Sequence, residues 1–233
     1  IYTLSLHDAL PICVSEKFMV CPLHDHLRDY PKANNSSGPT RDMYNVMAEN
    51  HEGQKRKLTG EWYIAHTIGV EEIVHLVTED PAVRMAALGH DLVEDTGITI
   101  EKIADKFGDR VADIIWGVTK DDSITGSRER KEAYLDRLEY EAEDGSVIVA
   151  LADKIYNIAD TIENYFLHGP GMWNNFKSGP DQQLWWYRSV LEIGQKRLPD
   201  CELNEYLSEL IDLFETEVIG RRDGVESVSD VTE

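Results

Sequence analysis

The dipeptide His-Asp occurs three times in the chain, at His7-Asp8, His24-Asp25 and His90-Asp91. An imidazole beside a carboxylate can ligate a divalent metal or move a proton, provided a scaffold holds the two in place. His24-Asp25-His26 sits in a Pro-, Asn- and Ser-rich stretch, PLHDHLRDYPKANNSSGPT over 22–40, which offers no such scaffold. His90-Asp91 differs, because it interrupts an apolar run, following Met85-Ala86-Ala87-Leu88-Gly89 and preceding Leu92-Val93. Charged groups there are costly unless paired or bound to a metal. If the helix continues at about 100° per residue, Glu94 lies one turn from His90 and Asp91, and Asp95 one turn from Asp91.

Two more polar residues break apolar stretches. His66 follows Trp62-Tyr63-Ile64-Ala65, and Asp153 follows Val147-Ile148-Val149-Ala150-Leu151-Ala152, with Asn157 on the same face four residues on. Two imidazoles and two carboxylates from three helices would suit one divalent transition metal with room for water. Plainer readings exist for each residue alone. His66 could be a hydrogen-bonded core or surface histidine, Asp153 could pair with Lys154 or Arg137, and Glu94-Asp95 could be a solvated helix end. Taken jointly, three polar breaks in apolar helices favour the metal. His75, nine residues past His66, falls half a turn out of phase and should face away. His51 and His168 read as surface groups. Trp173, Trp185, Trp186 and Tyr187 read as packing between the last helices, with a pocket wall or subunit contact as the other options.

The elements that must carry these residues are helical. Spacing of apolar positions predicts helices over 41–57, 61–79, 81–95, 100–107, 109–119, 146–166, 181–197 and 201–217. Thr59-Gly60 should close the first, Asp80-Pro81 should cap and open the third, and Thr99 and Gly108 should bracket the fourth. Period-two alternation is nearly absent, so the expected fold class is all-α, as a single helical bundle. The expected organisation is a leader and flexible lead-in over 1–40, one domain over 41–217 and a disordered acidic tail over 218–233. Residues 1–18 read like nothing that follows and resemble a translated sequencing-adapter peptide, so Met19 or Met43 is expected to lie nearer the native start.

Composition narrows the classes further. The 233 residues hold 44 acids against 23 Lys and Arg, a formal charge of −21, with 42% apolar residues. That apolar share fills one core. The acidity argues against nucleic-acid polymers and anionic membrane surfaces as partners. No apolar run reaches the roughly 18 residues a membrane span needs. Cys13, Cys21 and Cys201 show neither metal nor redox spacing and fit a reducing, cytoplasmic setting. The charge is also uneven: residues 200–233 carry eleven acids and two arginines, whereas 41–66 balance four acids with four bases, including Lys55-Arg56-Lys57.

The order His66, His90-Asp91, Asp153 resembles the HD-domain metal-dependent phosphohydrolase superfamily. The segments GQKRKLTGEWYIAHTIGV, AALGHDLVEDTGITIEKIADKFGDRVADIIWGVTK and LADKIYNIADT are similar to the (p)ppGpp hydrolase domain of RelA/SpoT homologues, above all the small stand-alone alarmone hydrolases. The resemblance implies an HD-domain helical bundle holding one metal, usually manganese, on His66, His90, Asp91 and Asp153. It implies Glu94 and Asp95 as the catalytic acidic pair, and Arg56, Lys57, Asn157 and Tyr156 as residues at the nucleotide. The implied reaction is hydrolysis of the 3′-pyrophosphate of ppGpp or pppGpp, giving GDP or GTP and pyrophosphate. Thr67 stands where the family usually has proline, Gly89 where it often has leucine, and Ala159 where arginine is common; none removes a metal ligand, but Ala159 and the long 168–180 loop leave nucleotide specificity open. Two alternatives stay beside this reading: an HD phosphohydrolase acting on another phosphorylated nucleotide, and a catalytically silent nucleotide-binding module.

Overall fold

The computed structural model describes residues 39–56, 60, 62–176 and 178–220. Ten α-helices follow in chain order: α1 (Pro39–Asn50), α2 (Ile64–Val77), α3 (Pro81–Gly89), α4 (Leu92–Asp95), α5 (Ile100–Phe107), α6 (Asp109–Val118), α7 (Ser127–Tyr140), α8 (Asp144–His168), α9 (Pro180–Arg197) and α10 (Leu203–Phe214). A 3₁₀ turn (Pro170–Asn175) precedes α9, and a π-helical turn (Glu215–Ile219) extends α10. Among the described residues there is no strand, only an isolated antiparallel bridge between Lys55 and Trp62. The fold class is all-α, as the periodicity predicts.

Helix α8 is the axis of the molecule. Val147, Val149, Leu151, Ile155 and Ile158 on it are fully buried, and α2, α6, α9 and α10 all pack against it. Full burial of such side chains stabilises by about 1.5–3 kcal/mol each, so the helix is held firmly wherever its apolar residues point inward. Helix α3 is wedged between α1, α2 and α6. Its start is fixed as its sequence suggests, with Asp80 accepting a hydrogen bond from the Ala82 amide ahead of Pro81.

Several boundaries differ from the sequence expectation. The first helix stops at Asn50, whose side-chain amide donates to the Val46 carbonyl, and Gly53 turns the chain with φ of +76°. Residues 51–56 are therefore not helical, and Arg56 stands on a loop. The helix expected over 81–95 breaks at His90-Asp91. Gly89 sits at that break because a Cβ there would stand 2.9 Å from Met43 Sδ and 3.2 Å from Ile115 Cδ1; the methionine fills the space a leucine would need. Thr67 is buried in α2, its hydroxyl donating to the Ile64 carbonyl, so no proline is required there. Thr99 caps α5 by accepting from the Lys102 amide, but Gly108 leaves α5 at φ +94° and ψ 157°, extended rather than left-handed helical.

Helix α7 has no counterpart in the expected series. Its exposed face is almost wholly charged, and only Tyr134 and Leu138 are buried, too few to show a stripe. The helix expected from 201 becomes α10 and then the π turn, in which Val218 is buried, so packed chain continues past 217. The lead-in up to residue 38, with Cys13, Cys21, His7 and His24, lies outside the described residues, as do Lys57 and the tail over 221–233.

Candidate metal centre and adjoining cavity

Three elements bring the proposed ligands together. His66 comes from the first turn of α2, His90 and Asp91 from the break between α3 and α4, and Asp153 from the middle of α8. Both imidazoles are buried. His66 Nε2 lies 3.4 Å from Asp91 Oδ2 and 3.2 Å from Asp153 Oδ1. His90 Nε2 lies 3.1 Å from Asp91 Oδ2 and 3.7 Å from Asp153 Oδ1. Donors about 2.0–2.2 Å from one ion stand roughly 3.0–3.6 Å from each other, so these separations suit a shared cation. His66, His90 and Asp91 form the tightest group, and Asp153 joins it through the two imidazoles.

The break at His90 has a chemical consequence. Nδ1 of His90 is held by the Ala87 carbonyl at 2.8 Å and so carries a proton, which leaves Nε2 as the ligand nitrogen turned toward the carboxylates. Nε2 is itself buried. A metal ion would take the place of a proton on this nitrogen, between it and the carboxylates. A ring nitrogen fixed by a carbonyl while the other faces the cluster is the arrangement of a ligating histidine. The residues present fit the metal.

Without an ion, the electrostatics are those of a tightly paired cluster. Burial pulls the His90 imidazolium down, but Asp91 and Asp153 outweigh it and hold the group well above its ordinary range. Burial opposes ionisation of Asp91, and His90 and His66 overcome it; for Asp153, Lys154 does so first and the histidines next, leaving both carboxyls well below the usual range.

Around this centre stand the other residues named from the sequence. Asn157 donates to Asp153 Oδ1 at 2.6 Å. The buried Tyr156 ring meets His66 edge-on at 4.9 Å, an approach open only because residue 69 is glycine. Arg56 reaches across from its loop to Asp160 Oδ2 at 2.5 Å, with Asn157 Oδ1 at 3.4 Å and its guanidinium 5.5 Å from the Tyr156 ring. Glu94 points to Lys120, accepting from its backbone amide at 2.6 Å and its ammonium at 2.7 Å, so it is not a bare solvated helix end. Asp95 is exposed and accepts from Gln54 Nε2 at 3.4 Å. Of the plainer pairings, Asp153 does contact Lys154, while Arg137 turns instead to the Trp116 and Thr119 carbonyls.

Three histidines test the surface readings. His75 is exposed and faces Glu79, and His168 is exposed at the end of α8. His51 departs from expectation: it is buried, bonded to Gln54 Oε1 at 2.7 Å and stacked on Tyr63 at 4.9 Å. Sequence reasoning also missed Tyr63, whose hydroxyl donates to Asp91 Oδ2 at 2.5 Å. Its signal was the three-residue spacing to His66, which puts both on one face. Lys120 gave no signal, since it contributes from the end of a different helix.

Beside Asp153 lies a cavity of about 230 Å³, bounded by Arg56, Asn157, Lys131, Lys154, Trp186 and Tyr187. The aromatic stretch of α9 is thus partly a pocket wall, with Trp186 and Tyr187 buried behind it.

With this geometry in hand, comparison with known proteins is direct. The model of the HD domain matches residues 44–165, just over half of the chain. The chain belongs to the HD-domain family. HD domains are metal-dependent, and His66, His90 and Asp91 form a possible site for one ion in this one. This HD domain is 36% identical over 135 residues to a probable GTP pyrophosphokinase of Mycobacterium leprae, covering 57% of the chain and 17% of that protein. It is 40% identical over 124 residues to the guanosine-3′,5′-bis(diphosphate) 3′-pyrophosphohydrolase MESH1 of Danio rerio, covering 51% of the chain and 67% of that protein. The chain thus spans about a sixth of the mycobacterial relative and two thirds of the zebrafish one. A solved structure described as a metazoan ortholog of SpoT that hydrolyzes ppGpp superposes with a TM-score of 0.65 and 28% identity, over 76% of this chain and 96% of that one. Among the described residues, no helix of this HD domain is long and apolar enough to cross a membrane.

Proposed function

We propose that this chain is a metal-dependent hydrolase that removes the 3′-pyrophosphate of guanosine alarmones, converting ppGpp or pppGpp to GDP or GTP. The observation that carries the reading is the buried His90 Nε2, 3.1 and 3.7 Å from two carboxylate oxygens and beside a second imidazole, with Nδ1 fixed by the Ala87 carbonyl. The names of the relatives supply the substrate class. In this reading His66, His90, Asp91 and Asp153 hold the ion, and the ion is manganese.

A divalent ion there lowers the pKa of a bound water and polarises a phosphoryl oxygen. The remaining work falls to side chains. Asn157 Nδ2 fixes Asp153 Oδ1 and so keeps the carboxylate turned toward the imidazoles. Glu94 takes a proton from the attacking water at one of its Oε atoms, and Lys120 holds that carboxylate in place. Asp95, one turn beyond Asp91, helps to pass that proton on. Arg56, Lys57, Asn157 and Tyr156 hold the nucleotide, the forked guanidinium and the phenol face offering both charge and stacking. Action in the cytoplasm, on a small nucleotide rather than a nucleic-acid polymer or membrane, belongs to the same proposal.

A second reading, turnover of another phosphorylated nucleotide, draws on Ala159, where the family's common arginine is missing. Incubating the manganese-loaded protein with ppGpp, dNTPs, nucleoside monophosphates and cyclic dinucleotides separates them. Turnover of ppGpp above all others supports the first; silence on ppGpp with turnover of another member replaces it with the second.

A further inference from the structure

The cations around the 230 Å³ cavity are not equally engaged. Arg56 is neutralised by Asp160 at 2.5 Å, and Lys154 is taken up by Asp153. Lys120, nearby, is paired with Glu94 at 2.7 Å. Arg128, one turn before Lys131 on α7, pairs with Glu132 at 2.6 Å. Lys131 also lines the cavity, yet among the described residues no carboxylate stands within ion-pair distance of it. Its ammonium lies 5.0 Å from the Trp186 ring and 5.9 Å from that of Trp185. Lys154 lies 5.3 Å from the same Trp186 ring, so two ammoniums converge on one indole. Burial first, then Lys154, Lys120 and Arg128, lower the Lys131 ammonium to about 8, the mark of positive charge gathered without a counterion. An anion in the cavity would supply it.

We propose that Lys131 holds the second, non-reacting phosphate group of the nucleotide and thereby sets the preference for substrates phosphorylated at both ends. This rests on the nucleotide-hydrolase reading above. It gives the cavity a division of labour: the reacting phosphate lies at the Asp153 end, and the distal phosphate lies against α7 and the Trp186 indole. Rigid, half-buried placement on the indole makes Lys131 a selective contact rather than a solvated surface charge.

The test compares wild type, Lys131→Met and Lys131→Arg, all manganese-loaded, on ppGpp and on guanosine 3′-diphosphate lacking the 5′-diphosphate. Wild type should prefer ppGpp, and Lys131→Met should lose roughly tenfold in kcat/KM on ppGpp, through KM with kcat kept, as one charge-assisted contact predicts. On the truncated substrate the same variant should match wild type, and Lys131→Arg should recover most of the loss. An equal penalty on both substrates overturns the proposal. So does a penalty confined to kcat. If wild type turns over neither guanosine compound, the hydrolase reading fails by itself. Titration with inorganic pyrophosphate, followed by tryptophan fluorescence, then decides the subsite alone. About tenfold weaker binding by Lys131→Met upholds it, and unchanged binding overturns it.

Discussion

The hydroxyl of Tyr63 donates a 2.5 Å hydrogen bond to Asp91 Oδ2, the oxygen that also stands 3.1 Å from His90 Nε2 and 3.4 Å from His66 Nε2. Burial, then Asp91 and Asp95, push the phenol far above its ordinary range, so it remains a donor at every physiological pH. Tyr63 therefore fixes the orientation of a carboxylate that must face the histidines. Tyr63→Phe should weaken manganese binding about tenfold, the usual cost of losing an outer-shell partner, while the melting temperature changes little. Calorimetric titration with manganese checks this, and unchanged affinity would show that Asp91 holds its pose unaided.

Glu94 is held by the Lys120 amide and ammonium. With Lys120 anchoring it, Glu94→Gln should keep the fold and the metal affinity yet lower kcat by roughly a hundredfold or more, the range for a lost general base. Stopped assays with parallel metal titration distinguish this from a lost ligand. A fall in metal affinity as large as the fall in rate would move Glu94 into the ligand set.

Gly69 offers a packing test of the same centre. A Cβ there would stand 2.6 Å from Tyr156 Cδ2 and closer still to Cε2. Alanine gains about 1 kcal/mol of helix propensity, but overpacking a core typically costs about 1–3 kcal/mol, and so close an approach to a buried ring lies toward the upper end, for a net loss of about 1–2 kcal/mol. Gly69→Ala should therefore destabilise in urea unfolding, and displacement of Tyr156 from His66 should lower activity as well. A net gain in stability would mean that the ring moves freely.

Away from the site, Glu72 makes a pH prediction. Burial, then the neighbouring Glu71, push its carboxyl up from 4.5 to about 7. The fold prefers it neutral, so its contribution is fully favourable below 4.5, the unfolded value, and is lost as pH rises toward 7. Above that the penalty is constant. Glu72→Gln should match wild type near pH 4 and be more stable by about 2 kcal/mol above pH 7, with allowance for the group's partial exposure. Denaturant midpoints across that range supply the check; a gap independent of pH contradicts it.

How far the sequence reveals this arrangement follows from what each residue's signal depends on. Asp153 announced itself because six apolar residues precede it on one buried helix, and fold class followed from the same periodicity. Helix α7 escaped because a helix burying two residues has no stripe to read. The need for glycine at 89 escaped because Met43, which fills the space beside it, comes from another helix. His51 read as a surface group because its burial under Tyr63 depends on a loop that returns from Gly53. Local pattern reports what a residue's own helix demands, whereas Lys120 and Lys131 acquire meaning only from contacts across elements.

In the proposed function, four side chains, His66, His90, Asp91 and Asp153, hold an ion that serves cleavage at the 3′ position of a guanosine alarmone. Phosphorus-31 NMR of ppGpp incubated with the manganese-loaded protein tests it most directly. GDP and pyrophosphate should appear in equal amounts, with turnover abolished by a chelator, restored by manganese and absent in Asp153→Asn. No turnover at micromolar enzyme, turnover that survives the chelator, or release of inorganic phosphate in place of pyrophosphate would contradict it.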